Sequence, residues 1–187
     1  MLIKILTFFQ YALSICMIIS GLVITIKDYL NLKKHPGWSA SIAAVVVTFN
    51  RKEYLVKNIE ALLAQVNAPV DILIIDNAST DGTEETIRHY MDAGQIIYEN
   101  TGENLGGAGG FNFGIRRAYE AGYDAIWIMD DDTYPHPDAL EKFLQADKDL
   151  NGMYGYLAGK VLWKDGSWCE MNTPKYKGGM AEGKYKQ

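Results

Sequence analysis

The chain has 187 residues, of which 48% are hydrophobic and 22% charged, the profile of one ordinary globular domain with enough apolar material for a sizeable core. Of the net charge of −5, Lys4, Lys27, Lys33 and Lys34 against Asp28 give the first 40 residues a balance of +3, leaving −8 for the rest, which argues against nucleic acid as a partner bound through its phosphates. The two cysteines, Cys16 and Cys169, lie far apart in sequence, so neither a disulfide framework nor a thiolate zinc site is suggested and a reducing compartment is favoured.

The segment from Leu6 to Ile26 (LTFFQYALSICMIISGLVITI) contains no charge, and as a helix it would be about 30 Å long, the thickness of a bilayer core. Residues 6–26 therefore predict a membrane-anchor helix. Gln10, Ser14, Ser20 and Thr25 dilute its hydrophobicity, so a helix lying on the membrane or docked to the domain is the alternative. Lys27, Lys33 and Lys34 follow the segment and only Lys4 precedes it, which orients the downstream domain to the cytoplasmic face of the cell membrane. Residues 1–38 are expected to form this helix and its linker, and residues 39–187 the domain.

From Ile42 the pattern alternates strand and helix. Ala43 to Phe49 is a continuous β-branched run, as in a strand covered on both faces. Leu55, Ile59, Leu62 and Leu63 form one helical face, with Lys57, Asn58 and Glu60 expected to turn away. Asp71 to Ile75 is a second strand, and Ser79-Thr80-Asp81 offers N-caps for a helix with Glu84 and Glu85 in its first turn. Gln95 to Tyr98 makes a short third strand. A glycine-rich loop then leads into a helix carrying Phe111, Ile115 and Ala118, and Asp124 to Met129 forms a fourth strand. The expected fold is α/β, a mostly parallel sheet with helices on both faces.

Polar motifs fall at the carboxyl end of every strand. Thr48-Phe49-Asn50-Arg51 closes the first and Asp76-Asn77 the second; Asn104-Leu105-Gly106-Gly107 follows the third and Asp130-Asp131-Asp132 closes the fourth. In an open α/β sheet this edge is where ligands bind, so the four motifs should share one crevice. Three adjacent carboxylates repel one another unless a cation sits among them, and an oxygen-rich cluster suits Mg²⁺ or Mn²⁺. The alternative is a solvated turn before the next helix, for which Pro137 supplies a first position. The glycines of residues 104–112 would let backbone N–H groups approach a diphosphate or sugar, although no dinucleotide fingerprint or Walker lysine is present. A flexible loop would look similar. Asp76 and Asn77 could meet a base or ribose, or could merely form a turn. Arg116 and Arg117 could reach phosphate or lie at the surface. His89 and His136 are expected to be structural or turn residues. Asp165-Gly166 has the form of a hairpin turn, and Trp163 and Trp168 are expected to pack in the core, with an apolar platform for a sugar ring as the alternative.

VVVTFNR (Val45 to Arg51), IIDNASTDGT (Ile74 to Thr83), NLGGAGGFN (Asn104 to Asn112) and WIMDDDTYPHPDAL (Trp127 to Leu140), in this order, resemble the family 2 glycosyltransferases of the GT-A fold. Within that family they are most similar to bacterial galactofuranosyl- and rhamnosyltransferases that build cell-surface polysaccharides. The resemblance spans roughly residues 41–165. It implies a UDP- or dTDP-linked sugar donor, an inverting transfer to a glycan or lipid-linked acceptor, and a divalent metal, Mn²⁺ or Mg²⁺. By position it puts Thr48, Phe49, Asn50, Arg51, Asp76 and Asn77 around the nucleotide, and Asn104, Gly106, Gly107 and Asp131 along the donor pocket. Asp130 and Asp132 become the D-x-D metal pair. Family members continue into a region supplying the general base and an acceptor surface. No motif for either is present here, so the base is expected outside this chain, and Asp165 and Glu170 are weak substitutes. A nucleotide-sugar-binding or assembly module without a base is the competing function. A phosphohydrolase using Asp130 and Asp132 is a third, disfavoured by Tyr134 and by the motif's place on the fourth strand.

Overall fold

The computed structural model describes residues 41–66 and 69–169. The chain divides between Ala40 and Ser41, and the fold described is that of the second unit. The expected helix at residues 6–26 lies outside the described residues; among the described residues, no helix is long and apolar enough to cross a membrane.

Within the described residues four strands and four helices alternate: β1 (Ile42–Thr48), α1 (Lys52–Leu63), β2 (Asp71–Asp76), α2 (Thr83–Asp92), β3 (Ile97–Asn100), α3 (Gly106–Ala121), β4 (Ala125–Asp130) and α4 (Ala139–Leu150). The sheet order is β3-β2-β1-β4, parallel throughout. Because β1 is central, all seven of its residues are buried, which is why its sequence is an unbroken apolar run and does not alternate. Its even positions Ala44 and Val46 meet Leu55, Ile59 and Leu62 of α1 and Ile87 of α2 on one face. The odd positions Ala43, Val45 and Val47 meet Ala118 of α3 on the other, flanked by Phe111 and Phe113. Helices thus cover both faces. Each buried aliphatic side chain contributes about 1.5–3 kcal/mol, so these two layers, one on each side of β1, dominate the stability of the domain.

Registers differ from expectation by one or two residues. β3 begins at Ile97, where it pairs with Leu73, and continues to Asn100 opposite Asp76; β4 runs on through Asp130, opposite Val47. α4 starts after Pro137, whose carbonyl accepts the Val66 N–H at 2.9 Å, while Leu140 N–H donates to Gln65 Oε1 at 3.0 Å. These bonds tie the start of α4 to the end of α1. Phe143 of α4 meets Trp127 edge-on, 5.7 Å between ring centroids.

Two local expectations are corrected. The glycine-rich stretch is helical, not a loop, because α3 begins at Gly106. Its glycines permit close packing: a Cβ on Gly110 would lie 2.7 Å from Val47 Cγ1, and one on Gly114 would lie 2.5 Å from Val45 Cγ1 and 2.8 Å from Ile75 Cγ1. Gly110, Gly114 and Ala118 form the buried stripe of α3, so the helix axis comes closer to the sheet than any larger residue would permit. Asn58 does not turn away from α1's apolar face but is wholly buried. It stands three residues after Leu55 and four before Leu62, on the same side of the helix, and its amide donates to the Thr133 carbonyl just beyond the aspartate triplet.

Near the end of the described residues, Leu162 and Trp168 form an antiparallel bridge around a turn with Gly166 at φ +81° and Asp165 accepting the Ser167 N–H at 2.9 Å. Asp165 is a turn residue. Trp163 and Trp168, expected in the core, are 55% and 52% exposed, since nothing in the described fold covers this segment.

Candidate functional site

The parallel sheet brings the ends of β1, β2 and β4 to one edge, and hydrogen bonds between the loops hold them in register. Asn50, at φ +54°, a left-handed conformation that asparagine tolerates, accepts the Thr80 N–H on its side-chain oxygen at 2.7 Å. Its own N–H donates to Ser79 Oγ at 2.9 Å. The β1–α1 and β2–α2 loops are thereby joined. Thr101, after β3, donates its N–H to the Asp76 carbonyl at 2.9 Å, and Asn77 Nδ2 donates to the Gly106 carbonyl at 3.0 Å. The start of α3 is therefore fixed against the end of β2.

The acidic triplet is divided by the alternation of the strand it extends. Asp131 is 2% exposed; its Oδ2 accepts the Thr48 hydroxyl at 2.7 Å, and Arg51 lies 3.4 Å from its Oδ1. Asp130 and Asp132 are exposed. Arg51 also donates to Asp132 Oδ2 at 2.8 Å, with its guanidinium 4.6 Å from the centre of the Tyr54 ring. Although Asp130 reaches solvent, partial desolvation of its carboxyl beside the sheet pushes it above the usual aspartate range, as does the neighbouring Asp132 charge, against the opposing pull of Arg51. Asp131 is raised too, again chiefly by burial, with the Thr48 hydroxyl and Arg51 opposing.

Residues expected to surround a donor fall into two groups. Thr48, Asp76, Asn77 and Asp131 are each no more than 2% exposed and brace the site from beneath. Asp76 Oδ1 accepts the Ser79 N–H and Oδ2 the Tyr98 hydroxyl, both at 2.8 Å; burial, with Asp76 adding to it, holds the Tyr98 phenol well above its ordinary range. Phe49, Asn50, Arg51, Asn104, Gly106, Gly107, Asp130 and Asp132 line the exposed side. Asn104 Oδ1 accepts the Gly106 N–H at 2.8 Å, and there is open space where a Gly107 side chain would stand.

Other polar residues are engaged elsewhere. Arg117 binds both oxygens of Glu99, at 2.7 and 2.9 Å, and lines a groove of about 280 Å³ with Leu73, Ile97 and Tyr123; that groove contains none of the motif residues. His136 pairs with Asp138 at 2.6 Å, and His89 stacks beside Tyr90. Sequence reasoning missed Tyr54, Asn58 and Tyr98. Tyr54 could have been found as the residue one turn beyond Arg51, whereas Tyr98 becomes relevant only once β3 is seen to flank β2.

The donor set fits a divalent metal in one particular way. Among the described residues, no group of three or more His, Cys, Asp or Glu side chains converges on a point, because Asp131 faces inward. Two exposed carboxylates remain. Hard cations such as Mg²⁺ are commonly held by one or two carboxylates together with phosphate oxygens of the substrate, and Asp130 and Asp132 match that pattern.

The family model for glycosyl transferase family 2 matches residues 43–168. The chain belongs to that family. Among curated relatives, this family 2 chain is 40% identical over 97 residues to galactofuranosyltransferase GlfT1 of Mycobacterium tuberculosis, covering 50% of this chain and 31% of the relative. It is 34% identical over 116 residues to abequosyltransferase RfbV of Salmonella typhimurium, covering 58% of this chain and 34% of the relative. The matches thus span about a third of the length of these two relatives. Among solved structures, S. aureus TarS in complex with UDP-GlcNAc has a TM-score of 0.51 at 20% identity, covering 59% of this chain and 32% of that one. Mannosyltransferase PcManGT from Pyrobaculum calidifontis, in complex with GDP-Man and Mn²⁺, has a TM-score of 0.51 at 21% identity, covering 74% and 43%. The fold of this family 2 domain is GT-A-like.

Proposed function

We propose that the domain binds a UDP- or dTDP-linked sugar at the carboxyl edge of its sheet and transfers the sugar, with inversion, to a cell-surface polysaccharide or lipid-linked acceptor. The observation that carries this reading is the convergence of Arg51, the Asn104–Gly107 segment and the Asp130/Asp132 pair on one edge, braced by hydrogen bonds that Thr48 and Asn77 donate and Asp76 accepts. The relatives named as galactofuranosyl- and abequosyltransferases support it, as does the TarS complex with UDP-GlcNAc.

Each residue has a chemical task. Phe49, 40% exposed, offers a ring on which a nucleobase can stack. Asp130 and Asp132 would hold the divalent metal, Mn²⁺ or Mg²⁺, which would stabilise the charge left on the nucleoside diphosphate. Gly107 leaves backbone free for close approach of the donor. Inversion also requires a carboxylate to accept the proton of the attacking acceptor hydroxyl, a role assigned here to no described residue. Residues 6–26 would hold the domain at the cytoplasmic face of the membrane, where a lipid-linked acceptor is presented; the support is their uncharged composition and the lysines that follow.

Calorimetric titration of the full chain with UDP and with dTDP, each with and without Mn²⁺, tests the reading. Metal-dependent binding of one nucleotide is expected. A folded protein that binds neither under any condition would overturn it.

A further inference from the structure

The acidic triplet already has a cation beside it. Arg51 contacts Asp132 at 2.8 Å and Asp131 at 3.4 Å, while no hydrogen bond or ion pair within the described residues engages the Asp130 carboxylate. The two ion pairs differ in kind. Arg51 and Asp132 are exposed to similar degrees, 43% and 44% for their side chains, and an exposed pair of this sort alters an equilibrium by only about 1.5- to 5-fold. Asp131 is buried, and Thr48 already donates to it. The Tyr54 ring supports the guanidinium from the side. Arg51 is thus anchored through Asp131 and Tyr54, and its bond to Asp132 is the one that can be given up.

Building on the donor-site reading above, we propose that Arg51 is the resident counter-cation of the triplet, exchanged at Asp132 for a divalent metal that arrives with the donor's diphosphate. Arg51 occupies only Oδ2 of Asp132, so a metal that takes this oxygen displaces the guanidinium, and one that takes Oδ1 still sets two cations against a single carboxylate; either way metal binding alone works against the ion pair. A diphosphate adds metal ligands and a new anionic partner for the released guanidinium, which offsets that loss. Metal affinity is then coupled to the presence of nucleotide, and by linkage nucleotide affinity is coupled equally to metal. Arg51 acts as a positioning residue that keeps the triplet from capturing metal in the donor's absence.

The test measures Mn²⁺ binding to the full chain from the loss of the free-ion electron paramagnetic resonance signal, without nucleotide and with saturating UDP. For Arg51→Gln, Mn²⁺ affinity without nucleotide should rise by about 2- to 5-fold, and the enhancement produced by UDP should shrink. Arg51→Lys, which keeps the charge, should stay nearer to wild type. Should Arg51→Gln fail to fold, Tyr54→Leu serves instead: it loosens the guanidinium without touching a carboxylate, and should shift Mn²⁺ affinity in the same direction. Unchanged or weaker Mn²⁺ binding in the folded variant would overturn the exchange. Asp132→Asn separates this failure from that of the donor-site reading. If it abolishes Mn²⁺ binding while the Arg51 variant changes nothing, the metal site stands and the exchange falls; if it leaves Mn²⁺ binding intact, the metal site is misplaced and both fall.

Discussion

Replacing Gly114 by alanine should destabilise the domain even though alanine is the better helix former. The added Cβ would lie 2.5 Å from Val45 Cγ1 and 2.8 Å from Ile75 Cγ1, two side chains at 0% exposure on the paired strands β1 and β2. Neither can yield without moving the sheet. Overpacking a core costs about 1–3 kcal/mol, and two such short contacts against buried strands place this substitution toward the upper end. Removing a helical glycine returns about 1 kcal/mol, so the expected net loss is about 1–2 kcal/mol. Gly107 is the control: a Cβ there meets nothing within 4 Å, and Gly107→Ala should stabilise by about 0.4–1 kcal/mol through the unfolded chain. Urea unfolding of the full chain in mild detergent, followed by far-UV circular dichroism, measures both. If Gly114→Ala is as stable as wild type, the glycines of α3 are not there for close packing.

Thr48→Val removes a 2.7 Å donor from the buried Asp131 carboxylate and should cost about 1–3 kcal/mol in the same assay, with Thr48→Ser restoring most of it. The N-cap of α2 is Gly82, with no side-chain cap bond; Asp81, one residue before it, accepts the N–H and hydroxyl of Thr83, so Asp81→Ala should cost about 0.5–1.5 kcal/mol, the usual net worth of a hydrogen bond. Burial opposes ionisation of Asp81, but its bonds from Thr83 and Lys52 outweigh that and lower its pKa in the fold. Its stabilisation is therefore present above the ordinary aspartate pKa of about 3.9 and is lost as pH falls through the lower, folded value; the stability gap between wild type and Asp81→Ala should hold at neutral pH and close in acid. Asp132→Asn should weaken metal-dependent UDP binding by about ten-fold or more in calorimetry, since loss of even a supporting partner behind a metal ligand costs about 10–100-fold, and should leave the circular dichroism spectrum unchanged.

The parallel character of the sheet and the arrival of motifs at one edge could be read from the sequence, because a β-branched run such as Val45-Val46-Val47 admits few other environments and the motifs at Thr48, Asp76 and Asp130 each close an apolar strand, whereas the one at Asn104 follows β3 only after a short loop. Residue roles within the edge could not. Asp131 differs from Asp130 and Asp132 only in which way the strand turns it, and that becomes evident only when Thr48 is placed opposite by the β1–β4 register. Glycine is ambiguous in the same way: GGAGG is compatible with a mobile loop until Val47 and Asn77 are found against Gly110. Polarity alone turns Asn58 toward solvent, and the acceptor that explains its burial, the Thr133 carbonyl, is 75 residues away in sequence. Hydrophobicity alone places Trp163 and Trp168 in the core, whereas their exposure depends on what packs over them.

The central claim is that the four strand-end motifs form a single metal-dependent donor site, and paramagnetic relaxation by Mn²⁺ tests it most directly. In amide NMR spectra of the full chain with UDP present, added Mn²⁺ should quench residues 48–51, 76–77, 104–107 and 130–132 together, with the reverse end of the sheet, around Ile42 and Ala125, affected least. Quenching that appears elsewhere, that reaches only one of these segments, or that is indifferent to UDP would contradict the claim.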